Sequence, residues 1–88
     1  MKARALVALN VRQLRMNRGI SQEKLAYEAG IDRSYLASLE RQLKNPTIDI
    51  LDRIAETLGV HVSELVVQPS KRAKAAKTLS KCRKRVSL

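Results

Sequence analysis

The side chains best suited to recognising another molecule lie in one short polar run, between residues 33 and 41. If the run is helical with Leu36 and Leu39 turned inward, steps of about 100° fix which side chains point outward. The outward positions are Ser34, Ala37, Ser38 and Arg41, with Arg33 at the leading end. Arginine can bond bidentately to guanine, serine can donate or accept, and a methyl can contact thymine. The run predicts a helix face for the DNA major groove; the alternative is an ordinary solvated face.

Holding such a face rigid requires a second helix that crosses the first closely, and residues 22–41 have the pattern of a helix-turn-helix. Ala26 is small where the crossing would be tightest. Gly30 follows four residues later and can adopt the positive φ that a tight turn demands. The shared core beneath both helices would come from Leu25, Ala29, Ile31, Leu36 and Leu39. The segment therefore predicts two crossed helices, with the recognition helix at about residues 32–42.

The rest of the chain adds further helices and no competing strand, so the expected fold class is all-α with five helices. Apolar residues at helical spacing predict a first helix that ends near Gly19. Ser21, Asp32 and Thr47 are the expected N-caps of the next three helices. The fourth would present an apolar stripe and end at Gly59, the stripe being Ile48, Leu51, Ile54, Ala55 and Leu58. A last short helix is predicted at about residues 61–67.

The charge of the chain is concentrated at one end. Residues 1–68 hold ten basic and eight acidic residues, whereas residues 69–88 hold eight basic residues and no acidic one. A basic tail on a nearly neutral body suits a polyanion, which could be nucleic acid or an acidic membrane surface. A merely solubilising tail is the other interpretation. We expect a domain at residues 1–68 and a basic tail at 69–88 that is disordered when free.

Several function classes are disfavoured by composition. Cys82 is the only cysteine, which excludes an internal disulfide and is consistent with the cytoplasm. No apolar run approaches the ~20 residues of a membrane span. His61 is the only histidine, and no cluster resembles a nucleophile–base pair, a metal cage or a phosphate loop. We therefore expect no enzyme activity, no metal and no cofactor.

Residues 22–41, together with Leu14-Arg15 before them and Asn45-Pro46-Thr47 after them, resemble the Cro/phage-repressor (Xre-like) type of helix-turn-helix. The similarity covers about residues 6–67. It implies a five-helix, lambda-repressor-like DNA-binding bundle that acts as a homodimer on a palindromic operator. Residues 32–36, 39–41 and 45–46 are also similar to the controller proteins of restriction–modification systems.

The resemblance also implies roles for individual residues. Arg33, Ser34 and Ser38 would read bases, Tyr35 would reach either a base or the backbone, and phosphate contacts would come from Gln22, Arg41, Lys44 and Asn45. Arg15 and Glu40 match a pair that forms a partly buried salt bridge in the family; the alternative is that both are solvated surface charges. Gln42 departs from the pattern, because the family commonly has glycine there. The third helix would then run slightly longer or end in a strained cap.

Towards the end of the domain, apolar residues exceed what a small core needs, and they predict a two-fold dimer contact. They are Leu58, Val60, Val62, Leu65, Val66 and Val67. The alternative is a domain core that simply ends there. The leading hypothesis is a dimeric transcriptional regulator that binds double-stranded DNA, needs no small-molecule effector and could regulate its own gene. The alternatives are an antitoxin-like interaction module with secondary DNA binding, and RNA binding. RNA is disfavoured because the chain has no aromatic stacking platform.

Overall fold

A computed structural model describes residues 2–68, which fold entirely into helices and connecting turns. There are four α-helices and one 3-10 turn, namely α1 (Ala3–Asn17), α2 (Gln22–Ala29), α3 (Arg33–Glu40), α4 (Ile48–Leu58) and the 3-10 turn Val62–Leu65. Within this range there is no β-strand, so the predicted all-α class is confirmed. The predicted basic tail at 69–88, with Cys82, lies outside the described residues.

The helices enclose a single aliphatic core. α2 packs against both α3 and α4, while α1 packs against α3 and the 3-10 turn. The core residues are Val7, Val11, Leu25, Ala26, Ala29, Leu36, Leu39, Leu51, Ile54, Ala55, Leu58 and Leu65. Ala26 is buried, as expected of the small residue where α2 and α3 cross. Burial of this shared core fixes the angle between α2 and α3.

Two of the expected N-caps are formed through their side chains. The hydroxyl of Ser21 accepts from the backbone N–H of Lys24 at 3.0 Å, and that of Thr47 accepts from the N–H of Ile50 at 3.1 Å. Asp32 occupies the N-cap position of α3, but its side chain makes no capping hydrogen bond. The carboxylate of Asp32 is therefore left exposed at the start of α3.

The turn between α2 and α3 depends on glycine. Gly30 has φ 72°, and the N–H of Ile31 donates to the carbonyl of Ala26 at 2.9 Å. A side chain at this φ would be strained by the backbone, whereas glycine adopts it freely. The chain therefore changes direction within three residues, and α3 packs against α2.

The fourth helix differs from expectation at its start. Ile48 was expected in the buried stripe, but 76% of it is exposed. It is the first residue of α4, and the buried stripe begins one turn later, at Leu51. The prediction for Ile48 is therefore wrong, because the helix end projects beyond the surface that the other helices cover.

The predicted fifth α-helix is a single turn of 3-10 helix. His61 caps it, its Nδ1 accepting from the N–H of Ser63 at 3.1 Å. Beyond it, the side chain amide of Asn10 donates to the carbonyls of Leu65 at 3.0 Å and Val67 at 2.7 Å. Capture of these carbonyls by a buried side chain on α1 fixes the segment in a non-α conformation. The β-branched valines around it also disfavour a longer helix.

Burial corrects two of the expected dimer-interface residues. Leu58 and Leu65 have no exposed surface, because both belong to the chain's own core. Val60, Val62 and Val67 are half-buried, and Val66 is 47% exposed. Of the predicted apolar set, only these valines present surface to a partner.

The third helix is shorter than the predicted 32–42, because it ends at Glu40. Gln42 has φ 66°, and it is the only described residue other than glycine with a positive φ. The N–H of Leu43 reaches back to the carbonyl of Ser38 at 2.9 Å, and the N–H of Gln42 donates to that of Leu39 at 3.0 Å. This is the hydrogen-bond pattern of a Schellman cap, whose left-handed position usually holds glycine. Of the two outcomes expected at Gln42, the strained cap is the one that occurs.

We expect Gln42→Gly to stabilise the domain. The left-handed conformation costs a residue with a Cβ atom about 1–2 kcal/mol, and glycine removes this cost. Part of the gain in stability is offset by the greater freedom of glycine in the unfolded chain. The free energy of unfolding, measured in urea, should therefore rise by about 0.5–1 kcal/mol. Gln42→Val should lower it, since a β-branched side chain is more strained there. Equal stability of all three proteins would contradict the strain.

Candidate nucleic-acid interface

One face of α3 is left open to solvent while the opposite face is anchored in the core. Leu36 and Leu39 are fully buried, whereas Arg33 and Ser34 are exposed. Further along the open face the predicted base-reading residues Ala37 and Ser38 are half-buried. The face is thus most accessible at its N-terminal end, and its later positions bear only small side chains.

Arg33 lies beside the start of α2. A shallow recess of about 470 Å³ lies between the two helices, lined by Arg15, Ser21, Gln22, Glu23 and Arg33. The N-terminal end of α2 carries the partial positive charge of its unpaired backbone N–H groups, which favours an anion. Arg33 and the start of α2 therefore line one recess, in which Glu23 is the acidic member.

Glu40, at the end of α3, joins three parts of the domain. Its Oε2 accepts from Nε of Arg15 at 2.8 Å and its Oε1 from Nη2 at 3.1 Å, so the ion pair is bidentate. Oε1 also accepts from Nε2 of Gln22 at 3.0 Å. Nη1 of Arg15 donates to the carbonyl of Ile20 at 2.9 Å. Three side chains and one carbonyl thus hold α1, α2 and α3 in a fixed relation.

The other side of α3 carries a second recess, of about 200 Å³, lined by Asp32, Ser34, Tyr35, Ser38 and Lys44. The Nζ atom of Lys44 lies 5.5 Å from the centroid of the Tyr35 ring, within the range of a cation–π contact. Tyr35 also packs against the core. The aromatic ring therefore places the ammonium of Lys44 at the edge of the open face.

Two of the expected phosphate-binding residues lie apart from these recesses. Arg41 is exposed at the C-cap of α3. Asn45 lines a third recess, of about 300 Å³, where its neighbours include Ala3, Val7, Pro46 and Val66. The structure therefore brings Gln22 to Arg33, and Ser34, Tyr35 and Ser38 to Lys44, but it gathers neither Arg41 nor Asn45 with them.

Other site types find no support in this part of the chain. Residues 2–68 contain no group of three or more His, Cys, Asp or Glu side chains placed to hold a metal ion. None of the four α-helices has the length and apolar character needed to cross a bilayer.

The arrangement of α2, the glycine turn and α3 matches a known family. The sequence profile described as Helix-turn-helix covers residues 11–65, which is more than half of the chain. The chain belongs to this helix-turn-helix family. The two helices of the motif are α2 and α3, with the turn at Gly30 between them.

Relatives place the domain among transcriptional regulators of the Xre type. A hypothetical transcription factor of Neisseria meningitidis is 39% identical over 71 residues, which are 81% of this chain and 67% of that protein. The crystal structure of a hypothetical transcription factor from Neisseria superposes with a TM-score of 0.80 and 38% identity, covering 84% of this chain and 85% of that one. The superposed structure shows the same fold, and both relatives are named as transcription factors.

Restriction–modification controller proteins are also similar to this helix-turn-helix domain. Control protein C.BamHI of Bacillus amyloliquefaciens is 38% identical over 64 residues, or 72% of this chain and 79% of that protein. The structure of the controller protein C.AhdI of Aeromonas hydrophila has a TM-score of 0.69 and 34% identity, covering 70% of this chain and 94% of that one. The predicted resemblance to controller proteins is confirmed. All four relatives are named as transcription factors or control proteins, not as enzymes.

The roles of two polar residues around the helix-turn-helix do not follow from the sequence pattern. Asn10 is fully buried and ties α1 to the last turn. Its position between Val7 and Val11 on the apolar face of α1 could have indicated burial. Asp32 was expected to be a helix cap, but its carboxylate faces the second recess without a partner among residues 2–68. Only the three-dimensional arrangement identifies that free carboxylate.

Proposed function

We propose that this protein is a transcriptional regulator that reads a specific sequence in double-stranded DNA with α3. The observation that carries the proposal is the combination of an open face on α3 with a bidentate anchor behind it. Arg33 and Ser34 are exposed, while Glu40 of the same helix is fixed to α1 and α2. A helix held rigidly at one end can present its other end to base edges in a constant register.

The open face divides into base-reading and backbone-binding residues. Arg33, Ser34, Ala37 and Ser38 lie along α3 and would meet base edges in the major groove. Phosphates on one side of α3 would contact the start of α2, and phosphates on the other side would contact the ammonium of Lys44. Tyr35, Arg41 and Asn45 would contact phosphates further along the DNA backbone. The side chain of Gln22 already donates to Glu40, so we assign the phosphate contact at this position to the backbone N–H groups of the helix start.

The regulator acts, in this proposal, as a homodimer on an operator with two-fold symmetry. Val66 is 47% exposed, and Val60, Val62 and Val67 are partly exposed beside it in sequence. Joining two copies through these valines would remove apolar surface from water. Two recognition helices would then enter successive major grooves about 34 Å apart, so the operator should be an inverted repeat.

In this proposal the protein acts in the cytoplasm, regulates its own gene and needs no small-molecule effector. Occupancy of the operator would then follow the concentration of the protein itself, because dimerisation and binding both obey mass action. We propose residues 1–68 as the DNA-binding domain and residues 69–88 as a tail that adds charge.

Selection of bound fragments from random duplex DNA tests the proposal directly. The purified full chain should enrich an inverted repeat, and sedimentation of the complex should give two chains per site. Competition with double-stranded RNA of the same length should displace little DNA, since the major groove of A-form RNA does not admit a helix. Failure to enrich any consensus at moderate ionic strength would overturn the proposed function.

Arg33→Ala separates base reading from mere charge. Loss of a bidentate contact to guanine should weaken binding to the selected site by about 1–3 kcal/mol and relax the base preference at one position in each half-site. Binding to random DNA should change far less. The matched control is Arg53→Ala, an exposed arginine on α4 away from the open face of α3. Equal losses on selected and random DNA would show that Arg33 contacts only phosphate.

A further inference from the structure

We infer that Asp32 is a specificity-determining residue that accepts a hydrogen bond from the amino group of a cytosine. The inference rests on the proposed function, since it assigns a role within the same DNA-reading surface. It adds an acidic base reader to a set in which the other members are Arg33, Ser34, Ala37 and Ser38.

Within residues 2–68, Asp32 is not engaged in holding the protein together. It occupies the N-cap of α3, where aspartate commonly accepts from the backbone N–H two or three residues later. Here its side chain makes no such bond, whereas Ser21 and Thr47, at the equivalent positions of α2 and α4, both do. The carboxylate has no hydrogen bond or ion pair to any residue from 2 to 68. It is therefore a free acceptor.

The free carboxylate of Asp32 lies at the open face of α3. Asp32 lines the recess of about 200 Å³ together with Ser34, Tyr35, Ser38 and Lys44. Arg33, the next residue, lies in the other recess, beside the start of α2. The two neighbouring side chains thus flank α3, the cation on one side and the anion on the other. Base edges that meet the start of α3 would meet both.

The hydrogen-bonding chemistry of the Asp32 carboxylate decides which base it can recognise. An ionised carboxylate only accepts hydrogen bonds, so it must face an amino group on the base edge. In the major groove only the N4 amino group of cytosine and the N6 amino group of adenine are available. Adenine also presents the N7 acceptor beside N6, and a carboxylate placed there would meet a lone pair. In both base pairs a carbonyl of the partner base lies on one side of the amino group, but on the other side cytosine has only the C5–H group where adenine has N7. Cytosine is therefore the base that suits Asp32.

The negative charge of Asp32 also affects how strongly the protein binds DNA of any sequence. A carboxylate brought between phosphates is repelled, and that cost falls on every DNA sequence alike. A hydrogen bond from cytosine offsets the cost only where cytosine is present. Lys44 reduces the repulsion because its ammonium, held over the Tyr35 ring, lines the same recess. Asp32 should therefore lower binding to random DNA while it improves discrimination.

Selection from random duplexes with the wild-type chain and with Asp32→Asn tests the inference. The asparagine variant has the same shape without the charge. Wild type should require cytosine at one position in each half-site. The variant should lose that preference by about tenfold, keep its preference at the remaining positions and bind random DNA more tightly. Asp52→Asn, an equal change at an exposed position on α4, should leave both the consensus and the affinity unchanged.

Three results would overturn the inference while the proposed function stands. One is an unchanged consensus with uniformly tighter binding, which would make Asp32 only a source of repulsion. Another is a preference of the wild-type chain for adenine at the affected position; adenine preference by Asp32→Asn alone would not count, because asparagine itself pairs with adenine. The third is a shift in the melting temperature of Asp32→Asn large enough to explain the loss, which would make the residue structural. A wild-type chain that selects no consensus would overturn the proposed function itself.

Discussion

Glu40→Ala should be among the most destabilising single substitutions in the domain. Both side chains of the ion pair are largely buried, because only 4% of the Glu40 side chain and 14% of the Arg15 side chain is exposed. Removing the carboxylate leaves the guanidinium with one carbonyl partner and the amide of Gln22 without its acceptor. Breaking one side of such a pair costs about 3–5 kcal/mol. Because small domains have only about 5–15 kcal/mol of stability, urea denaturation should show the loss of a large share of it.

A double variant separates the cost of an unpaired charge from the value of the pair. Arg15→Met combined with Glu40→Leu removes both charges and fills the space with apolar groups, so it should be markedly more stable than Glu40→Ala alone. Glu28→Ala, an exposed glutamate further along α2 that lines none of the three recesses, is the control and should change stability by less than about 0.5 kcal/mol. If Glu40→Ala costs under about 1 kcal/mol, the pair is screened by solvent as a surface salt bridge would be.

The ion pair between Arg15 and Glu40 has a function in the proposed mechanism, although burying its two charges costs desolvation energy. The pair does not lie in the open face of α3, but it determines how that helix is held. An apolar replacement would pack the same space without the two parallel hydrogen bonds that orient Glu40 towards Arg15. We therefore expect the double variant to remain folded and to lose discrimination between the selected site and random DNA. Unchanged discrimination would show that the pair serves stability alone.

Local sequence rules predicted the features that depend on local chemistry. The caps at Ser21 and Thr47 and the turn at Gly30 follow from side-chain and backbone preferences within a few residues, and all three are formed. The buried positions of α2 and α3 follow from helical spacing. These features could be predicted because the same pattern also satisfies the tertiary fold.

The predictions that failed depend on distant parts of the chain. The last segment was expected to be α-helical, but Asn10, more than fifty residues earlier, binds its carbonyls. Leu58 and Leu65 look like surplus apolar residues until the core that covers them is known. Periodicity gives the face of a helix, but it does not say how far the neighbouring elements extend over that face.

The candidate site divides in the same way. The identity and order of Arg33, Ser34, Ala37 and Ser38 on α3 could be predicted from spacing alone. Which of them share a recess with which neighbours could not, because that depends on the crossing of α2 and on the loop that follows α3. The free carboxylate of Asp32 is the clearest case, since sequence rules predict a cap at this position and only the structure leaves it unused.

Removing residues 70–88 should have the largest effect on DNA affinity of all the changes considered. The deleted segment carries eight basic residues and no acidic one, while residues 1–68 have a nearly balanced charge. Each phosphate neutralised by the protein releases counterions and contributes about −0.9 to the slope of log K against log salt. If half of the eight cations contact phosphates, the slope should become shallower by about 3–4, and affinity at 0.1 M salt should fall by about a thousandfold.

The loss should be the same for selected and random DNA, because contacts to phosphates carry no sequence information. Replacing the eight Lys and Arg residues of the tail by Gln keeps its length and should reproduce the deletion if charge is the cause. A deletion that weakens binding while the Gln variant does not would assign the effect to some other property of the tail. An unchanged salt slope in both variants would mean that the tail makes no contact with DNA. The affinity of the protein would then come from the helix-turn-helix alone. The number of its phosphate contacts would be the salt slope of the truncated chain divided by about 0.9.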